Sequence, residues 1–226
     1  MPSPGAVADY PFLDVALGRM RDGPMTSRKP VPGLDNICVY CGSGSGHDPA
    51  YVEAAREFGR ILAKNGVGLV YGGGNLGLMG EIARTVLHEG GHVTGIIPSF
   101  LSEREHMLLD VQELHVVEDM HQRKRLMFLK SDAFVAFPGG LGTLEEFVEQ
   151  LTWSQLGRHN KPIVLANIEG FWDPLLALFK RMQGETFIRP GLELRLELVD
   201  RVTDILPVIT CAIKSAEPEA AITAKF

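Results

Sequence analysis

Nine residues, Pro138-Gly-Gly-Leu-Gly-Thr-Leu-Glu-Glu146, combine three glycines, a threonine and two adjacent carboxylates. They follow the apolar run Ala133–Phe137, so they fall where a strand hands over to a helix. Glycine lets a backbone approach a ligand closely, and the free N–H groups at a helix start attract anions, so the stretch has the makings of a phosphate cradle. Two acids beside a phosphate, however, would repel it. Two readings of Thr143-Leu-Glu-Glu146 stand side by side. In the first, Thr143 caps the helix and Glu146 reaches back to its backbone N–H, as in an S/T-x-x-E capping box. In the second, Glu146 is a catalytic carboxylate.

A second cluster, Asp119-Met-His-Gln-Arg-Lys-Arg125, opens the preceding predicted helix. Three cations in its first two turns oppose the helix dipole, and a solvated basic face is the plain explanation. Yet this helix leads through one strand into the nonapeptide. Consecutive elements tend to be neighbours, which puts Arg123 or Lys124 within reach of the same pocket. An arginine beside a carboxylate keeps it ionised, and it can also grip a phosphate or an electron-rich base. Phosphate loops, an ionised glutamate and a cation together suit cleavage at the anomeric carbon of a sugar. That reaction passes through a cation-like centre, which a carboxylate stabilises while it positions water. In this scheme Glu146 serves the sugar, helix N-termini bind a 5′-phosphate, and Arg123 orients the acid or the leaving base.

The elements that must position these residues follow a regular rhythm from Asn36 onward. Apolar runs at Ile37–Tyr40, Val67–Tyr71, His92–Ile97, Glu113–Val117, Ala133–Phe137, Pro162–Asn167 and Leu196–Val199 predict strands. Amphipathic stretches near Ala50–Lys64, Leu78–His88, His121–Lys130, Thr143–Leu156, Pro174–Met182 and Asp204–Lys214 predict helices. The alternation predicts an α/β fold, a doubly wound (Rossmann-like) parallel sheet with helices on both faces, whose ligand lies outside the C-terminal strand ends. Three glycine loops fall there: Cys41–Gly46, Gly72–Gly80 and the nonapeptide. Gly72, Gly74 and Gly77 match G-x-G-x-x-G, but the next strand ends without the acid that would bind a dinucleotide ribose. No loop contains the G-K-[ST] of a nucleoside-triphosphate site.

Acids outnumber bases by 28 to 22, so a small-molecule partner is favoured over nucleic acid. No apolar stretch approaches the length of a membrane span, and no basic segment followed by an apolar one opens the chain. The three cysteines suit a reduced compartment, and the expected location is the cytoplasm. Cys38 and Cys41 are three steps apart on one strand, hence on opposite faces, which argues against a redox or metal pair. Six prolines and little periodicity make residues 1–33 an expected flexible arm, with a short helix suggested for Phe12–Met20. Residues 34–216 form the expected single nucleotide-binding catalytic domain, and 217–226 a C-terminal tail.

Tyr71-Gly-Gly-Gly-Asn-Leu-Gly-Leu-Met-Gly80, Asp119–Lys124, Pro138–Glu146 and Leu151-Thr-Trp-Ser-Gln-Leu-Gly157 resemble the Lonely Guy (LOG) family. Its members are cytokinin riboside 5′-monophosphate phosphoribohydrolases, often mislabelled lysine decarboxylases. The resemblance covers roughly Asn36 to Leu206. It implies that Arg123 and Glu146 are catalytic, and that Ser43, Glu105, Met120, Lys124, Gly139, Gly140, Leu141, Gly142, Thr143, Leu144, Glu145 and Thr152 contact the nucleotide. It implies hydrolysis of an N6-modified AMP, or of AMP, to free base and ribose 5-phosphate, with no metal and no organic cofactor. It also implies a homodimer or larger homo-oligomer whose pocket is completed near a subunit interface. Two departures stand out. Gly44 replaces the second serine of the family's C-G-S-S loop, leaving Ser43 or Ser45 to supply its hydroxyl, and Leu141 replaces a residue that is often aromatic. A decarboxylase needs a lysine in a pyridoxal-phosphate motif, and none of the eight lysines sits in one. The rival reading is a non-enzymatic carrier of a phosphorylated pterin, similar to molybdenum-cofactor carriers, which would not require the Arg123–Glu146 pair.

Overall fold

The computed structural model describes residues 32–102, 106–189, 191–192 and 194–223. Nearly all of the expected arm, with its Phe12–Met20 helix, lies outside the described residues, and so does Glu105.

Local signals account for the ends of the elements. Helix α1 (Pro49–Asn65) follows β1 (Asn36–Tyr40) and is opened by Asp48, whose carboxylate accepts from the Ala50 N–H at 2.8 Å, with Pro49 at the first helical position. It ends at Gly66, which takes the left-handed conformation with φ 68°. The chain continues through β2 (Gly68–Tyr71), α2 (Gly77–His88), β3 (Val93–Pro98), the single turn α3 (Ser99–Ser102) and β4 (Glu113–Val117). Helix α4 (Met120–Leu129) is capped by Asp119, whose carboxylate accepts from the Gln122 N–H. That negative cap offsets part of the cost of three cations near a helix start. Then come β5 (Ala133–Ala136), α5 (Leu141–Gln155), β6 (Ile163–Ala166), a 3₁₀ turn at Ile168–Gly170, α6 (Asp173–Gly184), β7 (Glu197–Val199) and α7 (Val202–Thr223). The strands and helices predicted from Asn36 onward are all present. Helix α7 runs past its expected end, into the stretch expected as a tail.

The seven strands form one parallel sheet in the order β4-β3-β2-β1-β5-β6-β7. Alternation along each strand divides the core into two layers. Ile37 and Val39 pack with Phe58, Leu62, Ile82 and Ile205 on one face. Cys38 and Tyr40 pack with Met127, Phe147, Leu151 and Trp172 on the other. Cys38 and Cys41 therefore belong to opposite layers, and burial pushes both thiols well above their ordinary value. Reactive cysteines need the reverse.

The chain builds outward from β1 to β4, then returns to place β5 on the other side of β1. Connections leaving β1 and β5 consequently diverge, and a crevice opens between them at the C-terminal edge. The first and third glycine loops flank this crevice. No helix among the described residues is long and apolar enough to cross a membrane.

His159 ties α5 to β6 beneath this crevice. Its Nε2 lies 3.2 Å from the Gln150 carbonyl and its Nδ1 accepts from the Lys161 N–H, so the ring is bound as the neutral tautomer. Burial, aided by the nearby Lys161 ammonium and opposed by the Gln150 bond, depresses its pKa below the ordinary 6.5. The unfolded chain therefore binds this proton more readily than the native one, and stability falls as pH drops below about 6.5. The urea midpoint is expected to decline between pH 7.5 and 5.5, by about one proton's linkage slope more than in His159→Gln.

Candidate active site

Arg123 and Glu146 meet at this crevice. Arg123 Nη2 lies 3.6 Å from Glu146 Oε1, with the two side chains 7% and 9% exposed. A buried carboxylate needs a countercharge, and α4 supplies it from across the C-terminal edge of the sheet. Arg123 Nη2 also donates to the Gly72 carbonyl at 3.4 Å, and Nη1 touches the Met120 sulfur at 3.8 Å. Its Nε–H is buried without a hydrogen-bond partner among the described residues. The guanidinium is thus held in place but not saturated.

Two expectations are corrected here. Arg123 and Lys124 do not belong to a solvated basic face, being 6% and 9% exposed, whereas Arg125 is exposed. The capping-box reading also fails. Helix α5 begins at Leu141, its N-cap is Gly140, and no side chain caps it. Thr143 is the third helical residue and turns its hydroxyl against Gly139, where a Cβ would overlap it. Glu146 faces Arg123 instead of reaching back.

The three glycine loops, alike in sequence, do different jobs. The donors opening α1 are taken up locally, by the Asp48 carboxylate for Ala50 and the Asp48 carbonyl for Tyr51. At α2, the Leu78 and Met79 N–H groups both go to the Gly42 carbonyl, so the second loop supports the first and two of its donors are spent. Gly72 carries no side chain because Arg123 Nη2 occupies the place of a Cβ, with Met79 Sδ 3.0 Å away. Gly77, at φ +55°, rests against the Ser43 carbonyl. Only at α5 do the first N–H groups, those of Leu141, Gly142 and Thr143, find no acceptor among the described residues. Gly140 and Gly142 have nothing within 4 Å of where a Cβ would lie and no positive φ, so no internal contact demands glycine there. An open, uncapped helix start beside two unobstructed glycines is a cradle for an anion.

The structure brings Met120, Arg123, Glu146 and the Gly139–Thr143 turn together. The Gly42 N–H donates to the Pro138 carbonyl at 3.1 Å, which joins Ser43's exposed loop to the same rim. Leu141 is 85% exposed at the mouth, while Leu144 packs partly into the core behind it. Lys124 lies on the flank, with Nζ bonded to Glu145 Oε1 and, at 3.0 Å, to Glu149 Oε1. Burial works against its charge, but the bonds to Glu145 and Glu149 outweigh it and hold the ammonium above its ordinary value. Thr152 is not joined to this group. It is exposed, and its hydroxyl donates to the Val148 carbonyl of its own helix. Glu149 and the Gly72 carbonyl escaped sequence reasoning. The only available signal for Glu149 was its i+4 spacing from Glu145.

A separate cavity of about 250 Å³ lies at the opposite, N-terminal ends of the strands, lined by Asn36, Thr94, Glu113, Lys130 and Asp132 among others. Its charged groups have partners already, Glu113 binding Lys130 at 2.7 Å and Asp132 accepting from two backbone N–H groups. Among the described residues no cluster of three or more potential ligands suits a metal ion.

Residues 79–209 match the family model described as "Possible lysine decarboxylase". Cytokinin riboside 5′-monophosphate phosphoribohydrolase LOG7 of Arabidopsis thaliana is 49% identical over 154 residues, covering 68% of this chain and 71% of that protein. LOG1 of the same plant is 46% identical over 178 residues, covering 76% and 84%. The probable phosphoribohydrolase LOGL1 of Oryza sativa subsp. japonica is 51% identical over 153 residues, covering 68% and 69%. Among solved structures, the molybdenum cofactor binding protein of Rippkaea orientalis superposes with a TM-score of 0.59 at 22% identity, covering 83% of this chain and 99% of that one. The molybdenum cofactor carrier protein of Chlamydomonas reinhardtii does so with a TM-score of 0.59 at 21%, covering 80% and 99%. At such identities the likeness is one of fold alone.

Gly72→Ala tests how the pair is held. The overlap falls on the tip of a flexible side chain, so the fold is expected to survive, with the melting temperature lowered by no more than about 4 °C. The Arg123 guanidinium is expected to move off the Gly72 carbonyl while keeping Glu146 as its counterion, visible as a shifted Arg123 side-chain NMR signal. An unshifted signal would mean that Gly72 does not set the arginine's position.

Proposed function

Because the chain belongs to the Lonely Guy (LOG) family of cytokinin riboside 5′-monophosphate phosphoribohydrolases, we propose that it hydrolyses the N-glycosidic bond of an N6-modified AMP, or of AMP, to free base and ribose 5-phosphate. The observation that carries the reading is a buried Arg123–Glu146 pair one helical turn from the uncapped N-terminus of α5. The N–H groups of Leu141, Gly142 and Thr143 take the 5′-phosphate, which the open space over Gly140 and Gly142 admits. Three residues further along, Glu146 faces the anomeric carbon. Its carboxylate stabilises the positive charge that grows there as the bond to the base breaks, and it positions the attacking water. Water oxygen bonds to that carbon, the bonding electrons leave with the base, and the base takes up a proton. Arg123 holds the Glu146 carboxylate ionised and in place beside the sugar. Met120 and Leu144 line the pocket, Ser43 adds a hydroxyl at the rim, and Lys124 and Glu145 contact the nucleotide from the flank. Glu105 and Thr152 are assigned contacts through the family resemblance.

The working state proposed is a cytoplasmic homodimer or larger homo-oligomer with its site near a subunit interface. The exposed face of α5, with Thr152 and the 68% exposed Leu156, supports this, since a second copy would cover it. Light scattering giving the mass of a single chain would count against it. The decarboxylase description finds little support in the lysines: Lys124 and Lys130 are ion-paired, and Lys161 donates to the Phe128 and Ser131 carbonyls.

Incubation with AMP and with N6-isopentenyl-AMP, followed by chromatography of the free base, tests the activity. Base is expected from at least one of them, and its absence from both would leave the carrier reading. Glu146→Gln is expected to lower kcat by about a thousandfold while circular dichroism stays native. Arg123→Ala is expected to lose at least about a hundredfold. Near wild-type turnover in either variant would remove that residue from the mechanism.

A further inference from the structure

Lys124 has two carboxylate partners that differ in kind. Glu145 and Glu149 are spaced i and i+4 on α5, so both present their carboxylates to the same ammonium from one face of the helix. Glu145 is 53% exposed, whereas Glu149 is 22% exposed. Glu149 Oε2 is moreover fully buried and has no hydrogen-bond partner among the described residues. A carboxylate oxygen in that position is costly unless a cation stays beside it. An ion pair with a half-exposed carboxylate, by contrast, is weak and readily exchanged. Lysine is also a poor fixture by itself, a point charge on four rotatable bonds that settles only where partners hold it.

We infer that Glu149 is the positioning residue of the site. It anchors the Lys124 ammonium permanently, and this leaves Glu145 free to exchange its bond to Lys124 for a bond to the ligand. The inference rests on the reading of Lys124 and Glu145 as nucleotide contacts. The ammonium has three N–H donors, of which the two glutamates use two. The third, with a released Glu145 carboxylate beside it, makes a donor and an acceptor suited to a neutral hydroxyl-bearing group. Lys124 with both glutamates carries one net negative charge, which keeps the phosphate at the glycine end of α5 and turns the sugar toward this flank. Glu149 does not touch the ligand. It acts through Lys124.

The test is a double-mutant cycle on the full-length protein, read by AMP binding, by turnover and by the titration of Lys124 in NMR spectra of unmodified protein carrying carbon-13 at the lysine Cε. Glu149→Gln is expected to raise KM and the dissociation constant for AMP about tenfold while kcat changes less than about threefold. In a Lys124→Met background the same change is expected to have no further effect, because nothing remains to be positioned. The Lys124 titration is expected to move down in Glu149→Gln and further than in Glu145→Gln. Glu149→Asp, which keeps the charge one methylene shorter, is expected to fall between wild type and Glu149→Gln, and it serves in the cycle if the glutamine variant fails to fold. An unchanged Lys124 titration, or an undiminished loss of AMP binding in the Lys124→Met background, would overturn the inference. If wild type binds AMP but releases no base, the hydrolase reading fails, while binding and titration still decide the role of Glu149.

Discussion

A buried ion pair between helices on either side of a sheet switch point is the constraint on which the rest of this structure turns. Arg123 and Glu146 are each more than nine-tenths buried, and neither charge is tolerable there without the other. The pair demands that α4 and α5 lie side by side over one layer of the core, and that the sheet edge below leave room for a guanidinium. The return of the chain from β4 to β5 meets the first demand. Gly72 meets the second by having no side chain where Nη2 rests. Removing one partner of such a pair typically costs about 3–5 kcal/mol, more than a single cap or surface bridge contributes.

Around this pair the glycine-rich loops divide the work by where their hydrogen bonds go. The openings of α1 and α4 are closed by Asp48 and Asp119, and the opening of α2 is partly closed by the Gly42 carbonyl. Internal acceptors of this kind leave a helix start with little to offer a ligand. The start of α5 lacks such a cap and projects into the crevice between β1 and β5. The same helix therefore carries an uncapped start, a buried carboxylate about one turn on, and a lysine-bound pair of glutamates on its flank. The two acids of the nonapeptide both turn away from the open start of α5: Glu145 turns to Lys124, and Glu146 turns to Arg123.

The fold itself does not choose among functions. Proteins that bind or carry molybdenum cofactor share the sheet and its wrapping at about 21–22% identity, whereas phosphoribohydrolases are 46–51% identical to this chain over stretches of 153–178 residues. A doubly wound sheet supplies a crevice at its switch point in either case, and side chains decide what happens in it.

Much of this was legible in the residues alone. Alternation of short apolar runs with amphipathic stretches determined the seven strands, the major helices and the parallel sheet, because both periodicities are local properties of the chain. The motif types and spacings also marked Arg123, Lys124 and Glu146, since cations near a helix start work against the dipole and call for an explanation. What the sequence left open depended on contacts between segments distant along the chain. The capping box at Thr143–Glu146 was a sound local inference, yet the backbone starts the helix at Leu141, and Glu146 turns toward a cation 23 positions earlier in the chain. Three similar glycine loops were indistinguishable until their acceptors were in place, for a donor is free or spent only in relation to a neighbour in space. Glu149 was invisible for the same reason: its burial and its grip on Lys124 exist only once two helices meet.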